Sequence, residues 1–227
     1  MKNIRLLICI LFFCHTAAEG RELSKNGQLS KRHVFYLHGA IIELGDPRPN
    51  HKEYGVYDYP AIVSALSKYE FQVISEQRKR DTDHLLYATK VVDQVNSLIA
   101  SGAKAENITV VGFSKGGMIT AIVSSLLARD DVNFVIMATC GEWYDNDEYL
   151  KSLRLRGNIF SVYEKSDIAG SCKSLASREP VPLSFAELGI DTGKKHGAFF
   201  LPREEWLNPV VSWIRRNTVG IPVNSPL

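Results

Sequence analysis

The residues Gly112-Phe113-Ser114-Lys115-Gly116, extended by Gly117, fit the pattern G-x-S-x-G. Context gives the pattern its weight: residues 108–112 read as a strand, and a helix is predicted from Gly116 to about Ala128. A chain that reverses this sharply holds the serine hydroxyl at the tip of the turn. The flanking glycines remove side chains that would collide with strand and helix, and the helix N-terminus favours negative charge developing beside Ser114. The alternative is a Gly-rich turn that binds phosphate, but neither G-x-x-x-x-G-K-[ST] nor G-x-G-x-x-G occurs.

A serine hydroxyl is a weak nucleophile until a base takes its proton. His196, in Gly193-Lys194-Lys195-His196-Gly197, follows the last predicted strand and is the best-placed base. His15 lies in the N-terminal segment, His33 in a strand, and His51 and His84 in early polar stretches. The base needs a carboxylate to orient it. Asp167, following a strand that ends near Tyr163, is the first choice; Glu142, Asp145, Asp147 and Glu164 are the rivals. Backbone amides must hold the oxyanion of a tetrahedral intermediate. Lys115 supplies one, and Ala40, after His38-Gly39, the other, with Ile41 as second choice. Together these groups would perform acyl transfer from an ester, thioester or amide to water.

The elements that must position these groups alternate. Strands are predicted at 33–37, 71–74, 108–112, 132–138 and 158–163, with a weaker one at 185–190. Several lack polar alternation, as strands buried on both faces do. Helices are predicted at 60–69, at 85–99 from the recurrence of Leu85, Ala88, Val92, Val95 and Ile99, and at 147–154. Asp81 or Thr82 fits the cap of the second, and Gly102 stops it. A last helix is expected to start with Asn208 as cap and Pro209 at its first position. Such alternation implies a mainly parallel sheet covered by helices on both faces, with the site at the carboxyl ends of the strands.

The chain has 227 residues, 45% hydrophobic and 23% charged, which suits one domain with a full core. Lys2 and Arg5 precede an apolar run, Leu6 to Phe13, and small residues reach Ala18, so residues 1–18 read as a secretory signal peptide and 19–227 as a single domain. The run is short for a membrane span, and Phe12-Phe13 before Cys14 fits a lipoprotein signal poorly. Cleavage would leave 25 Lys+Arg against 25 Asp+Glu. No basic stripe then remains for nucleic acid; Arg78-Lys79-Arg80 is read as a solvated loop. An exported location, periplasmic or secreted, with no stable membrane insertion after cleavage, is expected.

The His38-Gly39 loop, the Gly112–Gly117 turn, the Asp167 loop and the His196 loop together resemble the α/β-hydrolase superfamily over roughly residues 32–217. Glu53-Tyr54-Gly55-Val56-Tyr57 together with Ser114-Lys115-Gly116-Gly117 is similar to a compact bacterial subgroup. The resemblance implies the α/β-hydrolase fold and hydrolysis through an acyl-enzyme. Lys115 departs from the Gln, Ala or Met of many related esterases; its ammonium either attracts an anionic substrate or points to solvent. The stretch between the strands ending near Ala138 and starting near Asn158 has room only for a short helix, so no large cap domain is expected. Trp143, Tyr144, Phe199 and the 41–59 loop are candidate walls.

Cys140 and Cys172 each follow one of two strands expected to be neighbours, and are predicted to form a disulfide. Asn107-Ile108-Thr109 matches the N-glycosylation pattern at a strand entry. No cluster with metal-ligand spacing appears, so no cofactor is expected. The reading is a serine hydrolase (carboxylesterase-like) of a small-molecule ester or acyl substrate. The alternatives are a non-catalytic binding protein that keeps the fold, and a lipase or phospholipase, which would need an apolar lid or amphipathic surface.

Overall fold

The computed structural model describes residues 31–141 and 148–216. The predicted signal segment and the candidates Glu142, Trp143, Tyr144, Asp145 and Asp147 lie outside the described residues.

In chain order the elements are β1 (His33–Leu37), a 3-10 turn (Ala40–Leu44), the short antiparallel pair β2 (Asn50–His51) and β3 (Gly55–Val56), and α1 (Tyr59–Ser67). Then come β4 (Gln72–Ile74), α2 (His84–Ala100), β5 (Ile108–Phe113), α3 (Lys115–Leu127), β6 (Asn133–Met137) and α4 (Glu148–Ser152). The chain continues through β7 (Asn158–Glu164), α5 (Lys173–Ala176), β8 (Ser184–Ile190), a 3-10 turn (Lys195–Phe199) and α6 (Glu204–Arg215). The main sheet has six parallel strands in the order β4-β1-β5-β6-β7-β8.

The apolar runs are long because both faces of the sheet are covered. Val34 and Tyr36 of β1, with Val111 and Phe113 of β5, pack against Ile62 and Leu66 of α1 and Trp206, Val210 and Trp213 of α6. Their strand neighbours Phe35, Leu37, Ile108 and Val110 face Ala88, Val91 and Val95 of α2 and Ile119, Ile122 and Val123 of α3. Alternate residues of one apolar strand thus build two cores. β8, at the sheet edge, is only half-buried along most of its length, which is why its sequence pattern is weaker.

Two helix starts differ from expectation. The cap of α2 is Asp83, whose carboxylate accepts from Leu86 N at 2.8 Å, rather than Asp81 or Thr82. α6 begins at Glu204, with Asn208 and Pro209 inside it. Its buried stripe, Trp206, Leu207, Val210, Val211, Trp213 and Ile214, starts before the proline. Burial of that stripe outweighs the one backbone hydrogen bond that proline cannot make.

Cys140 and Cys172 are joined by a disulfide, S–S 2.08 Å, tying the segment after β6 to the start of α5. Asn107 is only 7% exposed, so the glycosylation pattern is not displayed on a surface loop. Between β6 and β7 the described chain holds α4 and no cap domain. Among the described residues no helix is long and apolar enough to cross a membrane.

Candidate active site

The turn from β5 into α3 holds Ser114 at φ 55° and ψ −120°, the left-handed side of backbone space that a non-glycine residue adopts only under constraint. The constraint is visible. Ser114 N donates to Met137 O at 2.9 Å, and the Thr139 hydroxyl lies 3.1 Å from Ser114 O and 3.0 Å from Met137 O. Close backbone approach explains the neighbouring glycines. A Cβ on Gly112 would lie 2.1 Å from Gly116 O, and one on Gly116 would lie 1.9 Å from Leu37 O.

His196 sits in the 3-10 turn after β8, and Asp167 in the loop after β7. His196 Nδ1 is 2.6 Å from Asp167 Oδ2. The carboxylate side chain is 2% exposed and the imidazole 21%. An ionised carboxylate can only accept, so Nδ1–H is the donor, and in the neutral imidazole the lone pair is then on Nε2. Phe113, the residue before Ser114, packs against the imidazole at 4.8 Å between ring centroids. That contact brings the imidazole beside the serine turn. The ring of Tyr54 lies 6.0 Å from that of His196, which places part of the 41–59 loop beside the histidine. Phe199, a candidate wall, is instead fully buried between Phe113 and Trp206.

Glu164, a rival for the acid, has another task. Its carboxylate accepts from Ser166 N at 2.7 Å, Thr192 N at 2.9 Å and Gly193 N at 3.0 Å. The Ser166 hydroxyl adds a fourth bond. Burial works to raise its pKa, but the bonds from Ser166, Thr192 and Gly193 together hold it below the usual glutamate value. Glu164 therefore fastens the Asp167 loop to the His196 loop.

Ala40 and Ile41 begin the 3-10 turn after β1, and Lys115 begins α3. The first amides of such turns have no partner within them. Gly39 N, by contrast, donates to Tyr57 Oη at 3.2 Å, and Tyr57 Oη lies 3.0 Å from Tyr36 Oη. That bond removes Gly39 as an anion donor and leaves Ala40 or Ile41. Tyr57 is fully buried, and burial pushes its pKa up to about 12, so it stays a neutral hydroxyl.

The Lys115 side chain neither faces open solvent nor stands free for an anion. Lys115 Nζ donates to Glu43 Oε2 at 2.7 Å and to Thr82 O at 2.6 Å. The other oxygen of Glu43 accepts from Arg78 Nε at 2.9 Å. Arg78 is 3% exposed, which corrects its reading as part of a solvated run; Lys79 and Arg80 are exposed. Arg78 Nη2 donates to His38 O, and Arg78 N donates to His38 Nε2 at 2.8 Å. His38 Nδ1 lies 2.8 Å from Gly39 O, so the proton is on Nδ1 and the ring is neutral. Burial, with Arg78 adding to it, lowers the His38 pKa to about 3.

Sequence reasoning missed Glu43, Arg78 and Tyr57. The one available signal was a lone glutamate in the apolar stretch Ile41-Ile42-Glu43-Leu44, since a carboxylate that is buried must find a cation. Among the described residues no group of three or more His, Cys, Asp or Glu side chains converges as metal ligands would.

No family model matches the chain, and no curated protein matches it. Solved structures do. An esterase/lipase from an uncultured bacterium superimposes with TM-score 0.56 at 12% identity, covering 83% of this chain and 77% of that one. The Francisella virulence factor BioJ gives TM-score 0.56 at 14% identity, over 83% and 78%. SOBER1 of Arabidopsis thaliana gives TM-score 0.52 at 13% identity, over 82% and 98%. At these identities the likeness shows the fold.

Proposed function

We propose, on the α/β-hydrolase fold that the chain shares with these structures, that it is a serine hydrolase cleaving a carboxylic ester of a small molecule through an acyl-enzyme. The observation that carries the proposal is the bond between His196 Nδ1 and the buried Asp167, beside a serine held in a strained turn.

Ser114 Oγ attacks the carbonyl carbon as its proton passes to His196 Nε2. Asp167 accepts from Nδ1–H and stabilises the imidazolium. The oxyanion is held by the amides of Ala40 and Lys115. The carbon–oxygen bond to the leaving group breaks, and His196 protonates the departing alcohol. Water then gives a proton to His196 and attacks the acyl carbon. The bond to Ser114 Oγ breaks, the acid leaves, and the proton returns to the serine. Thioesters and amides would follow the same steps. The names of the structural neighbours, an esterase/lipase and an arylesterase, favour esters. We further infer that residues 1–18 direct export, with 19–227 as the working domain. A disulfide in the fold suits an oxidising compartment.

The test is release of p-nitrophenol from p-nitrophenyl acetate by the purified protein. A burst approaching the enzyme concentration followed by steady turnover is expected, because this activated ester acylates the serine faster than water clears the acyl-enzyme. Release no faster than in buffer would refute the proposal and leave the binding-protein alternative.

A further inference from the structure

Two amides from different segments must be aimed at one oxyanion. β1 and β5 are neighbours in register, with Leu37 opposite Gly112, but the strand ladder ends there. Beyond it the Ala40–Leu44 turn and the Ser114–Lys115 turn must be held together by other means. Gly116 packs directly against Leu37 O, which joins their bases. Their tips are joined by charge. Lys115 Nζ, on one donor residue, reaches Glu43 Oε2 on the turn that carries the other donor. Arg78 holds the second oxygen of Glu43 and, through His38, the start of the same turn. Ala40 and Ile41 therefore lie between two anchored points.

We propose that the Lys115–Glu43–Arg78 ion bridge is a positioning device that sets the separation and aim of the two amides of the oxyanion hole. This rests on the serine hydrolase reading above. Lys115, Glu43 and Arg78 are positioning residues; none needs to touch substrate through its side chain. Geometry distinguishes the bridge from an ordinary surface pair. The Arg78 side chain is 0% exposed, that of Glu43 5% and that of Lys115 19%, so water screens it little. A cation at the first position of a helix is disfavoured by the helix dipole. Glu43 offsets that by placing a carboxylate beside the same N-terminus. Preorganised donors act on the transition state far more than on the ground state, so loosening them should affect kcat and leave KM nearly unchanged.

Lys115→Met removes the ammonium but keeps the backbone amide and the aliphatic stem, and leaves Glu43 paired with Arg78. With p-nitrophenyl acetate we expect kcat to fall about 10- to 100-fold, less than the roughly 10²–10³-fold of losing an oxyanion donor outright, because the amide is displaced and not removed. KM should stay within about twofold and the pH–rate profile should keep its wild-type shape. Inhibition by phenylboronic acid, whose tetrahedral adduct also needs the hole, should weaken by about the same factor as kcat. Lys115→Arg, which can still pair with Glu43, should recover part of the loss. A variant that unfolds at a lower temperature while kcat and boronate affinity stay within twofold of wild type would assign the bridge to stability alone and overturn the proposal. Lys115→Gln, uncharged and shorter, carries the same test if the methionine variant fails to fold. A wild-type protein without turnover would remove the hydrolase reading itself, an outcome distinct from an active wild type with an equally active Lys115→Met.

Discussion

Exchanging Asp167 for asparagine is expected to lower kcat about 10⁴-fold while the protein stays folded. The effect follows from the tautomer. In the proposed mechanism the carboxylate accepts from His196 Nδ1, 2.6 Å away, and Nε2 takes the serine proton. An asparagine there can turn its NH₂ toward Nδ1, which moves the imidazole proton to Nε2 and removes the base. It also withdraws the charge that stabilises the imidazolium. Substrate binding is largely spared, so KM should change little. The same measurement on Glu164→Gln separates the two carboxylates. If Glu164 were the orienting acid, its variant would show the 10⁴-fold loss and Asp167→Asn would not.

The second large effect is on folding. Gly116→Ala is expected to destabilise the protein by about 3 kcal/mol or more, a large share of a typical domain's stability. The added Cβ would stand 1.9 Å from Leu37 O, 2.5 Å from Leu37 C and 2.7 Å from His38 O. All three are backbone atoms, so no side chain can rotate away. Relief would require α3 to lift from β1, which would also pull the serine turn from the Ala40 turn. Gly170→Ala is the control, because no atom lies within 4 Å of its Cβ position; its urea midpoint should match wild type. A Gly116→Ala protein with an unchanged midpoint would show that α3 does not pack on β1 as described.

Much of this architecture is legible in the residues. Strands such as residues 108–113 lack polar alternation because two cores sit on their two faces, and that pattern survives in one dimension. The half-buried edge strand and the start of α6 are harder. The first has only a partial apolar pattern, and in the second a proline signal competes with a buried stripe that begins at Trp206. At the site, the serine turn is marked by glycines that close packing demands, and the His196 loop by Gly193 at positive φ and by Gly197 against Tyr54. The order of Ser114, Asp167 and His196 favours one acid, and the structure then gives Glu164 to Ser166, Thr192 and Gly193. The ion bridge is not legible. Glu43, Arg78 and Lys115 are far apart in sequence; the apolar neighbours of Glu43 mark it as a carboxylate in need of a cation, but nothing in the sequence names Arg78 and Lys115 as its partners. Only the adjacency of β4, β1 and β5 in the sheet, with their following segments at the same end, brings them together.

Labelling with a fluorophosphonate asks whether Ser114 is the activated nucleophile that the proposed function requires. Intact-mass and peptide mass spectrometry of wild type and Ser114→Ala would follow the adduct. One adduct per wild-type molecule is expected, on Ser114, and none on the variant. A folded wild type that stays unlabelled, or a label that persists in Ser114→Ala, would contradict that role for Ser114.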